Sequence, residues 1–190
     1  MISVILPTLN AARMLPRALS PLVEGVAHGI VRQVIVSDGG SRDETLEIAD
    51  AAGCDMVTGE AGRTAQMRAG VTLAKAPWLL FLPATTALAP GWPNEVERFL
   101  THPNARERAA VFKLVFAGDG RGADLAWARF RTRWLKLPYA AQGLLISRAL
   151  YDVIGGYGDD IARRIGGRRL HALEAEAVTQ REAVRESSGV

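Results

Sequence analysis

The sequence predicts an α/β domain built on a mainly parallel, twisted sheet flanked by helices, and three observations carry that prediction. Short apolar runs at residues 2–6, 34–37 and 78–82 alternate with segments of helical spacing, which is the pattern of repeated βαβ units. The second run stops at Asp38, Gly39 and Gly40, so a strand delivers a carboxylate to its carboxyl end, where open α/β sheets bind their ligands. With 190 residues, 48% of them hydrophobic and 23% charged, the chain suits a single domain with one core.

Taken in order, residues 2–6 read as a buried strand stopped by Pro7, and the apolar spacing over residues 12–23 predicts an amphipathic helix. After the strand at 34–37, Ser41 and Glu44 have the spacing of a capping box for a helix over 42–51; Asp38 and Asp43 equally suit a plain turn beside a helix dipole. A short strand near Met56 and Val57, a helix over 64–74 and the strand at 78–82 continue the alternation. Regularity then falls away, leaving a helix near 95–100, a strand near 111–116 and a glycine-rich turn at 118–122. Ser147 is placed to cap a helix reaching about Ile154, which Gly155 and Gly156 end, and a polar helical or frayed tail follows over 171–190.

The formal charge of +3 is mild, but arginines gather at 129–133 and at Arg163, Arg164, Arg168 and Arg169. Such clusters either bind phosphate, anionic lipid or nucleic acid or form a solvated face. Helical spacing over 125–137 aligns Trp127, Phe130, Trp134 and Leu137, a stripe that packs on the protein's own core, lies in a membrane interface or covers an acceptor. No nucleic-acid motif surrounds it, and no nucleic-acid partner is expected. The single cysteine, Cys54, cannot form an internal disulfide, and the first residues lack a signal-peptide pattern, so a reducing cytoplasm, with peripheral membrane contact through 125–137, is the expected setting. Pro77, Pro83, Pro90 and Pro93 interrupt the longest uncharged stretch, 76–94, which excludes a membrane-spanning helix there.

Six segments stand in one order: Leu6-Pro7-Thr8-Leu9-Asn10, the Asp38 loop, Gly62-Arg63-Thr64-Ala65-Gln66-Met67, Phe81-Leu82-Pro83-Ala84-Thr85-Thr86, Leu137-Pro138-Tyr139-Ala140-Ala141-Gln142-Gly143-Leu144, and Ile154-Gly155-Gly156-Tyr157. Together they resemble the family 2 glycosyltransferases. That resemblance implies a GT-A type, Rossmann-like single domain over 1–170, with a nucleotide-binding half at 1–90 and an acceptor half at 91–170. It also implies transfer of a sugar from a nucleoside diphosphate sugar to a small-molecule or lipid-linked acceptor. Pro7, Thr8, Asn10, Asp38 and Gly39 would hold the nucleoside, Asp38 accepting a hydrogen bond from the base. Arg63, with its fixed fork of donors near a helix start, would contact the diphosphate beside Gln66 and Thr85.

Three acids of the family pattern are replaced. Pro83-Ala84-Thr85-Thr86 stands where the family has a motif like His-Ala-Asp-Thr, whose carboxylate helps hold Mg2+ or Mn2+; a hydroxyl is a poor substitute for hard divalent cations, so no metal ligand is identified. Ala140-Ala141-Gln142 replaces Gly-Asp-Gln, and direct register against Arg168-Arg169-Leu170 puts Ala162-Arg163 where the family has the Glu-Asp base motif. A shifted register makes Asp160 or Asp159 the catalytic base, with Arg63, Arg68, Arg163 and Arg164 standing in for the metal. Two readings stay open: a metal-independent or weak transferase, and a non-catalytic nucleotide-sugar-binding relative acting as a sensor or partner subunit. The turn after the first strand lacks the glycine-rich loop of a nucleotidyltransferase or dinucleotide dehydrogenase.

Overall fold

The first strand, β1 (Ile2–Thr8), alternates its side chains between two cores as the pleat requires. Ile2, Val4 and Leu6 join one core and Ile5 the other. The structure, a computed structural model, describes residues 1–117 and 140–179. In chain order the elements are β1, α1 (Leu15–Leu19), α2 (Leu22–Ala27), β2 (Val31–Asp38), α3 (Thr45–Ala51), β3 (Asp55–Thr58), α4 (Arg63–Leu73), β4 (Trp78–Phe81), β5 (Thr86–Leu88), α5 (Trp92–Leu100), β6 (Ala109–Phe116), β7 (Leu144–Ser147), α6 (Arg148–Val153), α7 (Ile161–Ile165) and β8 (Leu170–Thr179). The eight described strands form one sheet in the order β3-β2-β1-β4-β7-β6-β8-β5. β1 pairs in parallel with β2 and β4, and β2 with β3, whereas β7 runs antiparallel to both β4 and β6.

One face of the sheet buries Leu6, Val36, Leu80 and Phe112 against Leu15, Leu22, Trp92 and Phe99 from α1, α2 and α5. Trp92 is fully buried and donates its indole N–H to the Pro21 carbonyl at 2.9 Å. The opposite face buries Ile5, Ile35, Phe81 and Ile146 under α4, α6 and α7 through Met67, Val71, Tyr151 and Ile161. α4 lies so close to β1 that a Cβ at Gly70 would fall 2.5 Å from Ile5 Cγ2. Gly70→Ala is therefore expected to destabilise by about 1–2 kcal/mol, because overpacking of about 1–3 kcal/mol exceeds the helix-propensity gain of up to about 1 kcal/mol. Urea unfolding checks this, and unchanged stability would show that the contact yields freely.

Several expected elements differ. The helix expected over 12–23 is split into α1 and α2, because Pro21 has no N–H to continue the first helix and instead occupies the N-cap position of the second. The helix expected over 42–51 begins only at Thr45, with no side-chain cap hydrogen bond from Glu44, so the Ser41–Glu44 capping box is not formed. β5 and β7 were not anticipated. The largest correction falls on the tail: residues 170–179 form β8, parallel to β6 and antiparallel to β5, in place of a helical or frayed segment. A register shift between Val111 and Lys113 lets four residues of β8 pass two of β6, so the buried positions Leu170, Leu173 and Ala177 acquire the spacing of a helix face. The turn at 118–122, the amphipathic stretch 125–137 and residues 180–190 lie outside the described residues. Among the described residues, no helix is long and apolar enough to cross a membrane.

Candidate functional site

Parallel pairing sets Thr8, the last residue of β1, beside Asp38, the last of β2. Thr8 Oγ1 donates to Asp38 Oδ1 at 2.9 Å, and the backbone N–H groups of Gly40 and Ser41 donate to Oδ2 at 2.8 and 2.7 Å. The Ser41 hydroxyl also donates to Oδ1. Burial by itself raises the pKa of this 1% exposed carboxyl, but the hydrogen bonds from Ser41, Thr8 and Gly40 outweigh it and hold Asp38 below the ordinary carboxylate range. Both oxygens are thus committed to the loop.

The next residues lace the two turns together. Asn10, at φ +50°, donates its N–H to Ser41 Oγ at 2.8 Å and accepts from Arg42 N on its own Oδ1 at 2.9 Å. Ala11 N donates to Thr45 Oγ1, and Ala12 N to Asp43 Oδ2. Ser41, read from sequence as a cap, is spent on Asp38 and Asn10. Beneath this lattice, buried Gln66 donates from Nε2 to the carbonyls of Thr8 and Ser37 at 2.5 and 3.0 Å, tying α4 to both strand ends. A Cβ on Gly39 would come within 3.0 Å of the Ala61 Cα and 3.1 Å of Gln66 Nε2, so close approach explains the glycine.

On the other side, β4 runs into a tight turn in which Thr86 N donates to Pro83 O at 3.0 Å. The Thr86 hydroxyl reaches Ala141 O at 3.1 Å, and the Thr179 hydroxyl of β8 reaches Thr85 O at 3.3 Å. Between these walls lies an open cavity of about 220 Å3 lined by Pro7, Thr8, Leu9, Arg63, Gln66, Pro83, Thr85 and Ala141. Five residues singled out from sequence, Pro7, Thr8, Arg63, Gln66 and Thr85, therefore share one cavity. Asp38, Gly39 and Asn10 brace its wall without lining it, and Asp38, expected as an acceptor for a nucleobase, organises the loop through its hydrogen bonds. Leu9, Pro83 and Ala141 were missed as lining residues, although each sits inside a quoted motif.

The two acids expected as bases separate. Asp160 stands at the N-cap position of α7 and pairs through Oδ1 with Arg164 Nε at 2.9 Å, while exposed Asp159 accepts a hydrogen bond from Thr64 Oγ1 at 2.8 Å, one residue from Arg63 on α4. Arg68 is held by the Tyr157 carbonyl at 2.7 Å and Arg164 by the Ile154 carbonyl at 2.6 Å. Of the four arginines considered, Arg63 alone lines the cavity. Among the described residues the lining offers no carboxylate or imidazole, and no cluster of three or more such groups occurs, whereas Mg2+ and Mn2+ want charged oxygens.

Residues 3–157 match the family described as Glycosyl transferase family 2. A "PGL/p-HBAD biosynthesis glycosyltransferase" of Mycobacterium bovis is 37% identical over a 97-residue alignment that covers 46% of this chain and 36% of the relative. The chain thus spans well under half the length of the curated relatives it matches. Among solved structures, S. aureus TarS superposes with a TM-score of 0.73 at 14% identity, covering 94% of this chain and 36% of that one. Glucosyl-3-phosphoglycerate synthase from Mycobacterium tuberculosis, in complex with Mn2+, uridine diphosphate and glucosyl-3-phosphoglycerate, superposes at 0.64 and 20% identity, covering 99% and 75%. These neighbours share the GT-A fold, a mixed α/β domain around a curled central sheet. With its strand-end cavity, its arginine at the start of α4 and a family match over most of its length, the chain belongs to glycosyl transferase family 2.

Proposed function

We propose that this chain binds the diphosphate of a nucleoside diphosphate sugar in the cavity between β1, β4 and α4 and transfers the sugar without a divalent cation. The observation that carries this is Arg63 lining a cavity that holds no described carboxylate. At about 220 Å3 the space is smaller than the roughly 300–1,000 Å3 of sites for whole drug-sized ligands, so it suits one portion of the donor. The diphosphate is that portion, because the start of the 11-residue α4 presents the positive end of a helix dipole beside a guanidinium. A structural neighbour solved with UDP-GlcNAc and another with uridine diphosphate support the choice of donor class.

In the transfer, Asp159 takes the proton of the acceptor hydroxyl as its oxygen bonds to the anomeric carbon. The bond from that carbon to the diphosphate oxygen breaks, and its electron pair leaves on the diphosphate, whose charge Arg63 offsets. Asp159 is favoured over Asp160 because Arg164 already pairs with Asp160, whereas Asp159 lies against Thr64, next to Arg63. The acceptor is a small-molecule or lipid-linked hydroxyl compound, with peripheral membrane contact through residues 125–137.

Titration calorimetry with uridine and guanosine diphosphates, in EDTA and again with Mn2+, tests the donor half. Binding is expected in EDTA, with affinity about tenfold or more weaker in Arg63→Ala. A strict Mn2+ requirement, no heat with either nucleotide, or an unaffected Arg63→Ala would each defeat the reading. The replaced acids favour a second reading, a non-catalytic binding relative. Binding without sugar transfer or donor hydrolysis selects it.

A further inference from the structure

We propose a second ligand site, for a phosphate monoester or inorganic phosphate, at the end of the sheet opposite the donor cavity. β7 fixes that position: Leu144 pairs with Phe81 at the carboxyl end of β4 and Ser147 with Trp78 at its amino end, while Ala109 of β6 pairs with Ile146. Arg108, just before β6, is therefore remote from Thr85. It lines a half-open cavity of about 170 Å3 together with Arg98 and His102 from the end of α5 and His171 from the start of β8, over an apolar floor of Phe99 and Leu173.

The charge arrangement suits an anion. The one carboxylate on the wall, Glu95, is turned to other tasks: one oxygen pairs with Arg98, and the other accepts the Glu174 N–H at 3.4 Å. Arg108 is half-buried and its backbone N–H donates to the Ala105 carbonyl at 2.9 Å, but its side chain makes no hydrogen bond or ion pair among the described residues, so its planar fork of donors is uncommitted at the cavity it lines. His102 is set as a donor on its far nitrogen because its Nδ1 accepts from Asn104 N at 3.3 Å. His171 is held by stacking on Phe99, ring centroids 5.7 Å apart at 21°. Even with both imidazoles neutral, two guanidinium groups against one carboxylate leave a net positive recess, and guanidinium groups match tetrahedral oxyanions better than chloride. β8 runs from this recess to Thr179, which holds the Thr85 carbonyl at the donor cavity, so an occupant here sits on the strand that supports the other site.

The site is tested by titrating isotope-labelled protein with inorganic phosphate at constant ionic strength set by chloride, following backbone amide resonances. Saturable shifts are expected in residues 95–108 and 170–174. Arg108→Gln should weaken binding about tenfold or more, and so should surface-exposed Arg98→Gln, which also frees the Glu95 charge to repel the ligand. Lys113→Gln, further along β6, should leave it unchanged. Shifts that do not saturate, that chloride reproduces, or that survive both arginine variants overturn the site. Co-sedimentation with phosphatidic acid vesicles, lost in Arg98→Gln, assigns the phosphate to a lipid headgroup; soluble binding without co-sedimentation assigns it to a free phosphate compound. Because nucleotide titration reads the donor cavity separately, failure here leaves the donor proposal standing.

Discussion

Changing Asp159 to Asn is expected to lower sugar transfer by about 10²- to 10⁴-fold, the usual loss when a positioned base is removed. Nucleotide affinity should change by less than about twofold, because the amide oxygen still accepts the Thr64 hydroxyl and nothing at the cavity is altered. Asp160→Asn serves as the contrast. It removes an exposed pair with Arg164 four residues away, worth about 0.3–0.5 kcal/mol, and should leave turnover nearly intact. Steady-state kinetics beside calorimetry on both variants decides the matter: a silent Asp159→Asn with a crippled Asp160→Asn reverses the assignment, and two active variants remove both acids from the chemistry.

Replacing Asp38 with Ala should cost about 2–4 kcal/mol of stability, because it strands the buried Thr8 hydroxyl and the Gly40 and Ser41 N–H groups together. Nucleotide affinity should fall as well, since the loop bracing Thr8 and Leu9 loses its anchor. Asp38→Asn recovers only part, its NH2 group facing donors where the carboxylate faced them with acceptors. The pH dependence follows from the direction of the shift. A carboxyl held below its unfolded value of 3.8 contributes stability that is fully present above that value. The contribution is lost as pH falls through the depressed folded value. Asp38→Ala should therefore shrink the acid limb of an unfolding curve and leave the remainder to groups such as Asp43, whose carboxyl the Thr45 hydroxyl also lowers. Chemical unfolding at pH 3, 4 and 7 measures both effects, and equal losses in variant and parent at low pH would deny Asp38 this role.

The nucleotide half was legible because β1, the end of β2 and β4 are short runs buried on both faces, and because turn residues follow each one. Pro7, Thr8, Arg63, Gln66 and Thr85 stand after such runs or at a helix start, positions that topology alone brings to one rim. What sequence did not reveal is how side chains divide their hydrogen bonds. Ser41 has the spacing of a cap yet serves Asp38 and Asn10, because two parallel strand ends bring Asn10 close to a residue 31 positions away. The second half was harder. Its strands β7 and β8 pair across long separations, and the bulge in β8 disguises its pleat as a helical stripe, a case of pairing overriding local preference.

The strand order has a consequence for synthesis on the ribosome. β5 finds its sheet partner, among the described residues, in Leu88 to Ala177 and Thr86 to Thr179 pairing, so the turn at Thr85 waits for about ninety further residues to be translated. At about 5–20 residues per second that delay is on the order of 5–20 seconds. Through that interval the nascent chain holds its β1, β2 and β3 segments, and β6, once made, waits for its β8 partner with an open edge, the stretch in which a stalled or nicked polypeptide would be most exposed to self-association and to chaperones.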